Sequence, residues 1–138
     1  MSWTIASEIA RCSLDLDSVL RRLKRALAES PLPDADLSLV FISHARSASL
    51  NAAYRKKRKP ANVLSFPVEH APAAERKTIG DVFIAWPVLR DGFDSALSDE
   101  DVAVALAIHG MLHLQGFTHE TPADAKRMEG LEERLTAL

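Results

Sequence analysis

Cysteine is nearly missing: Cys12 stands alone among 138 residues, so no internal disulfide can form, which fits a reducing compartment. Long apolar runs are missing as well. The longest, Val102 to Ile108, falls far short of the about 20 residues that a membrane-spanning helix needs. Met1 to Glu8 show no basic start followed by an apolar stretch, so no secretory leader is expected. Repeats, low-complexity tracts and long linkers are absent, and glycine and proline mark boundaries between elements. A soluble, intracellular, cytoplasmic protein is the expectation. With 47% hydrophobic residues the chain suffices for one domain, residues 1–138, with its own core.

Net charge, −2, excludes little, but its distribution is uneven. Arg55-Lys56-Lys57-Arg58-Lys59 is a run of five cations, and without it 12 basic residues face 19 acidic ones, a net of −7. Such a patch on an otherwise acidic chain suits a phosphate backbone. The competing reading is a solvated helix end stopped by Pro60, since cations are favourable in a last helical turn.

Local pattern predicts alternating helices and short strands. Trp3 to Ile5 reads as a short strand. Asp17 can cap a helix carrying Val19, Leu20, Leu23 and Leu27 on one face. Leu37 to Ile42 is a β-prone run, and a short helix from Ser47 through Tyr54 ends before Pro60. Asn62 to Phe66 and Asp81 to Ala85 read as two more strands, with Pro67 to Gly80 as a loop. Ser98 with Asp101 makes a capping box for an almost wholly apolar helix, and Thr121-Pro122 starts a last helix bearing Met128, Leu131 and Leu135. About four strands with helices of unequal length give an α+β class: a small mixed sheet covered mainly on one face. Strand order does not follow from these signals.

Three of the five histidines fall inside eleven residues, His109-Gly-Met-Leu-His113-Leu-Gln-Gly116-Phe-Thr-His119. Four residues apart on a helix, His109 and His113 project from one face, and Gly116 supplies the left-handed residue that lets His119 return toward them. A lone histidine on an apolar helix is more often a hydrogen-bonded core residue than a ligand. Two buried, unpartnered imidazoles would each cost roughly 1–3 kcal/mol, so a shared metal explains both more economically. Three nitrogen ligands with an open fourth position is the arrangement of catalytic zinc, the expected cofactor at one ion per chain. Other divalent transition metals are compatible with the same donors.

Histidines at the first, fifth and eleventh places with glycine at the eighth share the offsets of the metzincin proteases, H-E-x-x-H-x-x-G-x-x-H. Gly110 stands where their glutamate would activate water, which leaves peptide hydrolysis without its general base.

Taken together, Leu50-Asn51-x-x-Tyr54-Arg55-x-x-x-Lys59-Pro60-x-Asn62-Val63-Leu64-Ser65-Phe66-Pro67, then Gly80-Asp81, then the histidine motif to His119 resemble the YbeY family. Order and spacing both match, from about Leu37 to Glu120. The resemblance implies a metal-dependent endoribonuclease acting on single-stranded RNA, in maturation of the 3′ end of 16S rRNA and in ribosome quality control. It implies zinc on His109, His113 and His119, and an arginine near the metal cleft, Arg55, that matters for activity. Expected partners are rRNA, ribosomal particles and small-subunit assembly proteins. Two positions depart from the family pattern: Ala61 replaces a threonine, and Thr118 an aspartate that would polarise or orient a ligand, a loss for which Glu120 is a candidate substitute.

The expected mechanism has zinc activating water or a ribose hydroxyl. Arg55 and His113 are the catalytic candidates, and Arg55 with Lys59 the substrate-binding pair. Asp81 and Glu120 are candidate proton acceptors, Asp81 equally a strand-capping or backbone-binding residue. His44 and His70 are expected in exposed loops, and Trp3, Tyr54 and Phe117 in packing, with Phe117 also placed to wall the cleft. Two rival readings stand: a metal-dependent hydrolase of peptides or small molecules, and a non-catalytic ribosome assembly factor with a structural metal.

Overall fold

The computed structural model describes residues 2–67 and 78–138. Elements run β1 (Ser2–Ser7), α1 (Leu16–Ala28), β2 (Asp36–Ser43), α2 (His44–Arg55), β3 (Val63–Pro67), β4 (Thr78–Trp86), α3 (Asp99–Leu114) and α4 (Pro122–Thr136). The α+β class and the four-stranded mixed sheet are as the pattern predicts. The strand order is β1-β2-β4-β3, with β1, β2 and β4 parallel and β3 antiparallel to β4 at one edge.

Side-chain alternation sorts the two faces of the sheet. Leu37, Leu39 and Phe41 of β2, with Val82 and Ile84 of β4, join the main core beneath α1 and α3. Ile42, Leu64 and Ala85 are buried outside that cluster, and α2 packs against β2 and β4. α3 is buried almost all round because it lies between the sheet, α1 and α4, which is why its sequence lacks a polar face. Its start is fixed by the predicted capping box: Ser98 Oγ accepts from the Asp101 amide at 3.0 Å, and Asp101 accepts from the Ser98 amide at 3.2 Å.

Several boundaries differ from the sequence expectation. Asp15, not Asp17, caps α1, accepting from the Ser18 amide. α2 starts at His44 rather than near Ser47, because the Ser43 hydroxyl takes the Arg46 amide. Ser47 is instead buried, bonding both the amide and the carbonyl of Ala61. β4 begins at Thr78, three residues before the expected start, since Gly80 pairs with Leu37 on one side and Pro67 on the other. Residues 68–77 of the expected loop, His70 among them, lie outside the described residues. Among the described residues no helix is long and apolar enough to cross a membrane.

Candidate metal centre

α3 delivers His109 and His113 one turn apart on the stripe that faces α4, and both rings are half-buried. The helix then stops. Gln115 closes it, and Gly116 adopts φ +100°, a left-handed conformation in which a side chain would be strained. The chain doubles back through Phe117, whose amide donates to the Leu112 carbonyl at 3.0 Å, and brings His119 alongside the helix. Ring centroids of His109 and His119 lie 5.1 Å apart and nearly parallel, while His113 sits edge-on to both. One potential ligand atom from each of the three falls within 4.8 Å of the others.

Their hydrogen bonds decide which nitrogens are free. His113 Nδ1 lies 2.9 Å from the Phe117 carbonyl oxygen, which can only accept, so Nδ1 carries the proton. His109 Nδ1 donates in the same way to Glu132 Oε1 at 2.7 Å. In the neutral rings both Nε2 atoms are then lone pairs, and they face each other across 3.0 Å. Two lone pairs at that distance repel unless a cation lies between them. Tetrahedral zinc with nitrogen ligands at about 2.0–2.1 Å sets neighbouring nitrogens about 3.3 Å apart, so the pair is already spaced for a shared ion. Burial, first, and the neighbouring His109, second, push the His113 pKa below the ordinary histidine value, outweighing the Phe117 carbonyl that opposes them. The ring is thereby kept in the neutral, ligand-competent form. The donor set fits a borderline transition metal such as zinc.

A cleft of about 210 Å³ opens beside these rings, lined by Arg55, Asn62, Val63, Ser65, His109 and His113. Arg55, at the end of α2, therefore borders the same cleft as His109 and His113. It and Asn62 also line an adjoining hollow with Lys57 and Lys59, so the basic run continues outward from the cleft. Only the first two cations of the run belong to the helix end. α2 stops at Arg55, Lys56 is left-handed at φ 57°, and Lys57 to Lys59 lead away as a loop. Buried Asn51 anchors the loop, its Nδ2 donating to the Lys59 carbonyl at 2.8 Å.

Gly110, at the place of the metzincin glutamate, faces the sheet. A Cβ there would stand 2.8 Å from both Ser65 Oγ and Val82 Cγ1, so the position serves close packing of α3 on β3 and β4. A side chain there would enter the sheet packing.

Asp81 is not with the histidines. It alternates with Val82, which meets Gly110, and so points to the other face, where Ser38 Oγ donates to it and it borders a hollow with Leu50, Tyr54, Phe66, Pro67 and Phe83. Glu120 is exposed, and the carboxylate that meets the rings is that of Glu132. Glu132 was not anticipated. Its signal was an acid on the core-facing stripe of the last helix, between Met128 and Leu135. His44 opens α2, with Nε2 2.7 Å from the Pro87 carbonyl oxygen, rather than standing in a loop. Trp3 is core, as expected, whereas Tyr54 is 69% exposed and touches Phe66 edge-on. Phe117 borders a separate hollow beyond the turn, and its contribution to the histidine site is its carbonyl.

Known proteins resemble this chain in sequence and in fold. The family profile described as Endoribonuclease YbeY matches residues 5–138. Proteins named Endoribonuclease YbeY include one from Alteromonas mediterranea, 41% identical over 73% of this chain and 65% of its own length. One from Halorhodospira halophila is 38% identical over 74% of this chain and 69% of its own length. Another, from a Chelativorans species, is 35% identical over 97% of this chain and 88% of its own length. The match thus spans just under two thirds of the Alteromonas protein. A solution structure of a Thermotoga maritima protein superposes with a TM-score of 0.64 at 21% identity, covering 97% of this chain and 86% of that one, and so shares the fold.

Proposed function

This chain belongs to the Endoribonuclease YbeY family, and on that footing we propose that it is a metal-dependent endoribonuclease that cuts single-stranded RNA in rRNA processing. The observation that carries the reading is the cleft in which Arg55 and the paired His109 and His113 line one wall-to-wall space. Zinc is the metal we assign, held by His109, His113 and His119; when bound, such an ion would supply Lewis acidity to the phosphodiester.

The protein's own residues do the rest. Glu132 and the Phe117 carbonyl hold two imidazoles with Nε2 turned inward. Arg55 grips the scissile phosphate; a planar guanidinium meets two phosphate oxygens at once and stays charged throughout. None of the ion pairs among the described residues engages Arg55, so its charge is available to substrate. Lys57 and Lys59, on the same side, receive the neighbouring phosphates of the strand. Maturation of the 3′ end of 16S rRNA, ribosome quality control, association with ribosomal particles and small-subunit assembly proteins, and a cytoplasmic location are the finer parts of the proposal, supported by family membership.

Peptide hydrolysis is disfavoured because Gly110 is committed to packing against the sheet. The test is cleavage of single-stranded RNA, the same sequence as duplex, and a peptide panel by rigorously purified wild type, His113→Ala and Arg55→Ala. The proposal expects cleavage of the single strand alone, lost in both variants. Equal cleavage by all three proteins would identify a contaminating ribonuclease and overturn it. RNA binding without cleavage in every sample would favour an assembly factor.

A further inference from the structure

Glu132 lies 13 residues beyond the last motif histidine, on a different helix from the first two. It occupies the stripe of α4 that also carries buried Met128 and Leu135, and α4 packs on α3. A carboxylate on a core-facing stripe is costly to hold unless something meets it. Here His109 does: Glu132 Oε1 accepts a hydrogen bond from His109 Nδ1–H at 2.7 Å, with the two side chains 28% and 29% exposed. The same oxygen is 4.0 Å from His119 Nε2, too far for a hydrogen bond. One oxygen therefore stands against two of the three imidazoles.

We propose that Glu132 is a positioning residue, whose carboxylate fixes the His109 ring in its Nδ1–H tautomer and so turns the Nε2 lone pair toward the metal. This rests on the reading that the three histidines hold a metal. A neutral imidazole has one donor and one acceptor nitrogen, and the acceptor becomes the ligand; an acceptor beside Nδ1 settles which one. His113 gets the same service from the Phe117 backbone, which no side-chain change removes. His109 depends on a side chain, and that makes the idea separable by mutation. The carboxylate also increases the electron density of the ring it holds, which strengthens the nitrogen opposite as a ligand.

The test compares wild type, Glu132→Ala and Glu132→Gln by two measurements. Zinc affinity is read by competition with a chromophoric chelator, and the histidine tautomers of the zinc-free proteins by long-range proton–nitrogen NMR. In Glu132→Ala the His109 signals are expected to move toward the Nε2–H form while those of His113 stay, and zinc affinity is expected to fall by about tenfold to a hundredfold. Glu132→Gln keeps a neutral acceptor of the same size, so it is expected to keep the tautomer and to lose less affinity than Glu132→Ala. A Glu132→Gln protein that loses as much affinity with its tautomer unchanged would overturn the proposal, pointing to charge alone. Wild-type affinity in both variants would also overturn it and leave the metal reading intact. A wild type that binds no zinc would remove both.

Discussion

His113 Nδ1 donates to the Phe117 carbonyl at 2.9 Å, so the turn that returns His119 to the site also sets the tautomer of His113. Two of the three candidate ligands are coupled through that turn, which hinges on Gly116 at φ +100°. A Cβ on Gly116 would meet nothing within 4 Å, so Gly116→Ala introduces backbone strain without a clash. We expect this variant to lose about 1 kcal/mol of stability and to bind zinc more weakly, as read by chemical denaturation and chelator competition. Gly130→Ala is the control. Gly130 lies exposed inside α4 with open space around it, so alanine there should add about 0.5–1 kcal/mol. Zinc affinity unchanged in Gly116→Ala would show that the turn does not govern the ligands.

Gly110→Ala tests close packing rather than strain. The added methyl would press on Ser65 and Val82 at 2.8 Å, and overpacking of this kind costs about 1–3 kcal/mol. A lower urea midpoint is expected. Since Ser65 also lines the metal cleft, RNA cleavage should fall with it, whereas a variant as stable as wild type would mean that α3 moves off the sheet at little cost.

Arg55→Lys keeps charge and loses the planar fork. Cleavage is expected to drop about a hundredfold in kcat, the size seen when one donor to developing transition-state charge is removed. Lys57→Ala and Lys59→Ala should act differently, raising KM and leaving kcat near wild type. Each is expected to lower the dependence of log affinity on log salt concentration by about 0.7 for a single strand. A kcat loss in the lysine variants equal to that of Arg55→Lys would place them in the reaction itself.

Asp101 gives a pH signature. Its pKa is held below the ordinary 3.8, first by the Ser98 amide and then by Arg22, against the opposing effect of burial. A depressed folded-state pKa means stability that is present above about pH 4 and lost as pH falls through the lower folded value. Asp101→Asn should therefore be less stable than wild type at pH 7 by chemical denaturation, with the gap closing below pH 3.8. A gap that persists unchanged into acid would assign the effect to packing of the side chain.

The histidine trio was legible because a helix repeat and a glycine stop are local properties, written within eleven residues. Glu132 was not, because its meeting with His109 depends on how α4 packs on α3, a contact 23 residues apart that no local spacing encodes. The side of the sheet that Asp81 faces was not legible for a related reason. Val82 to Ala85 are all apolar, so period-2 alternation that would have told the two faces apart is hidden, and only pairing with β2 and β3 shows Asp81 on the α2 side. Strand order was beyond reach on the same ground: β1, β2 and β4 join by parallel pairings across long connections, while β3 pairs antiparallel at the edge. The basic run was readable as charge but not as a loop, since only Asn51 and left-handed Lys56 show that it leaves the helix.

The most direct measurement is X-ray absorption at the zinc edge on protein loaded with one equivalent of zinc. Three imidazole nitrogens at about 2.0–2.1 Å with one oxygen are expected, falling to two imidazoles in His113→Ala. A wild-type spectrum without imidazole scattering, or one unchanged by His113→Ala, would contradict a metal held by His109, His113 and His119.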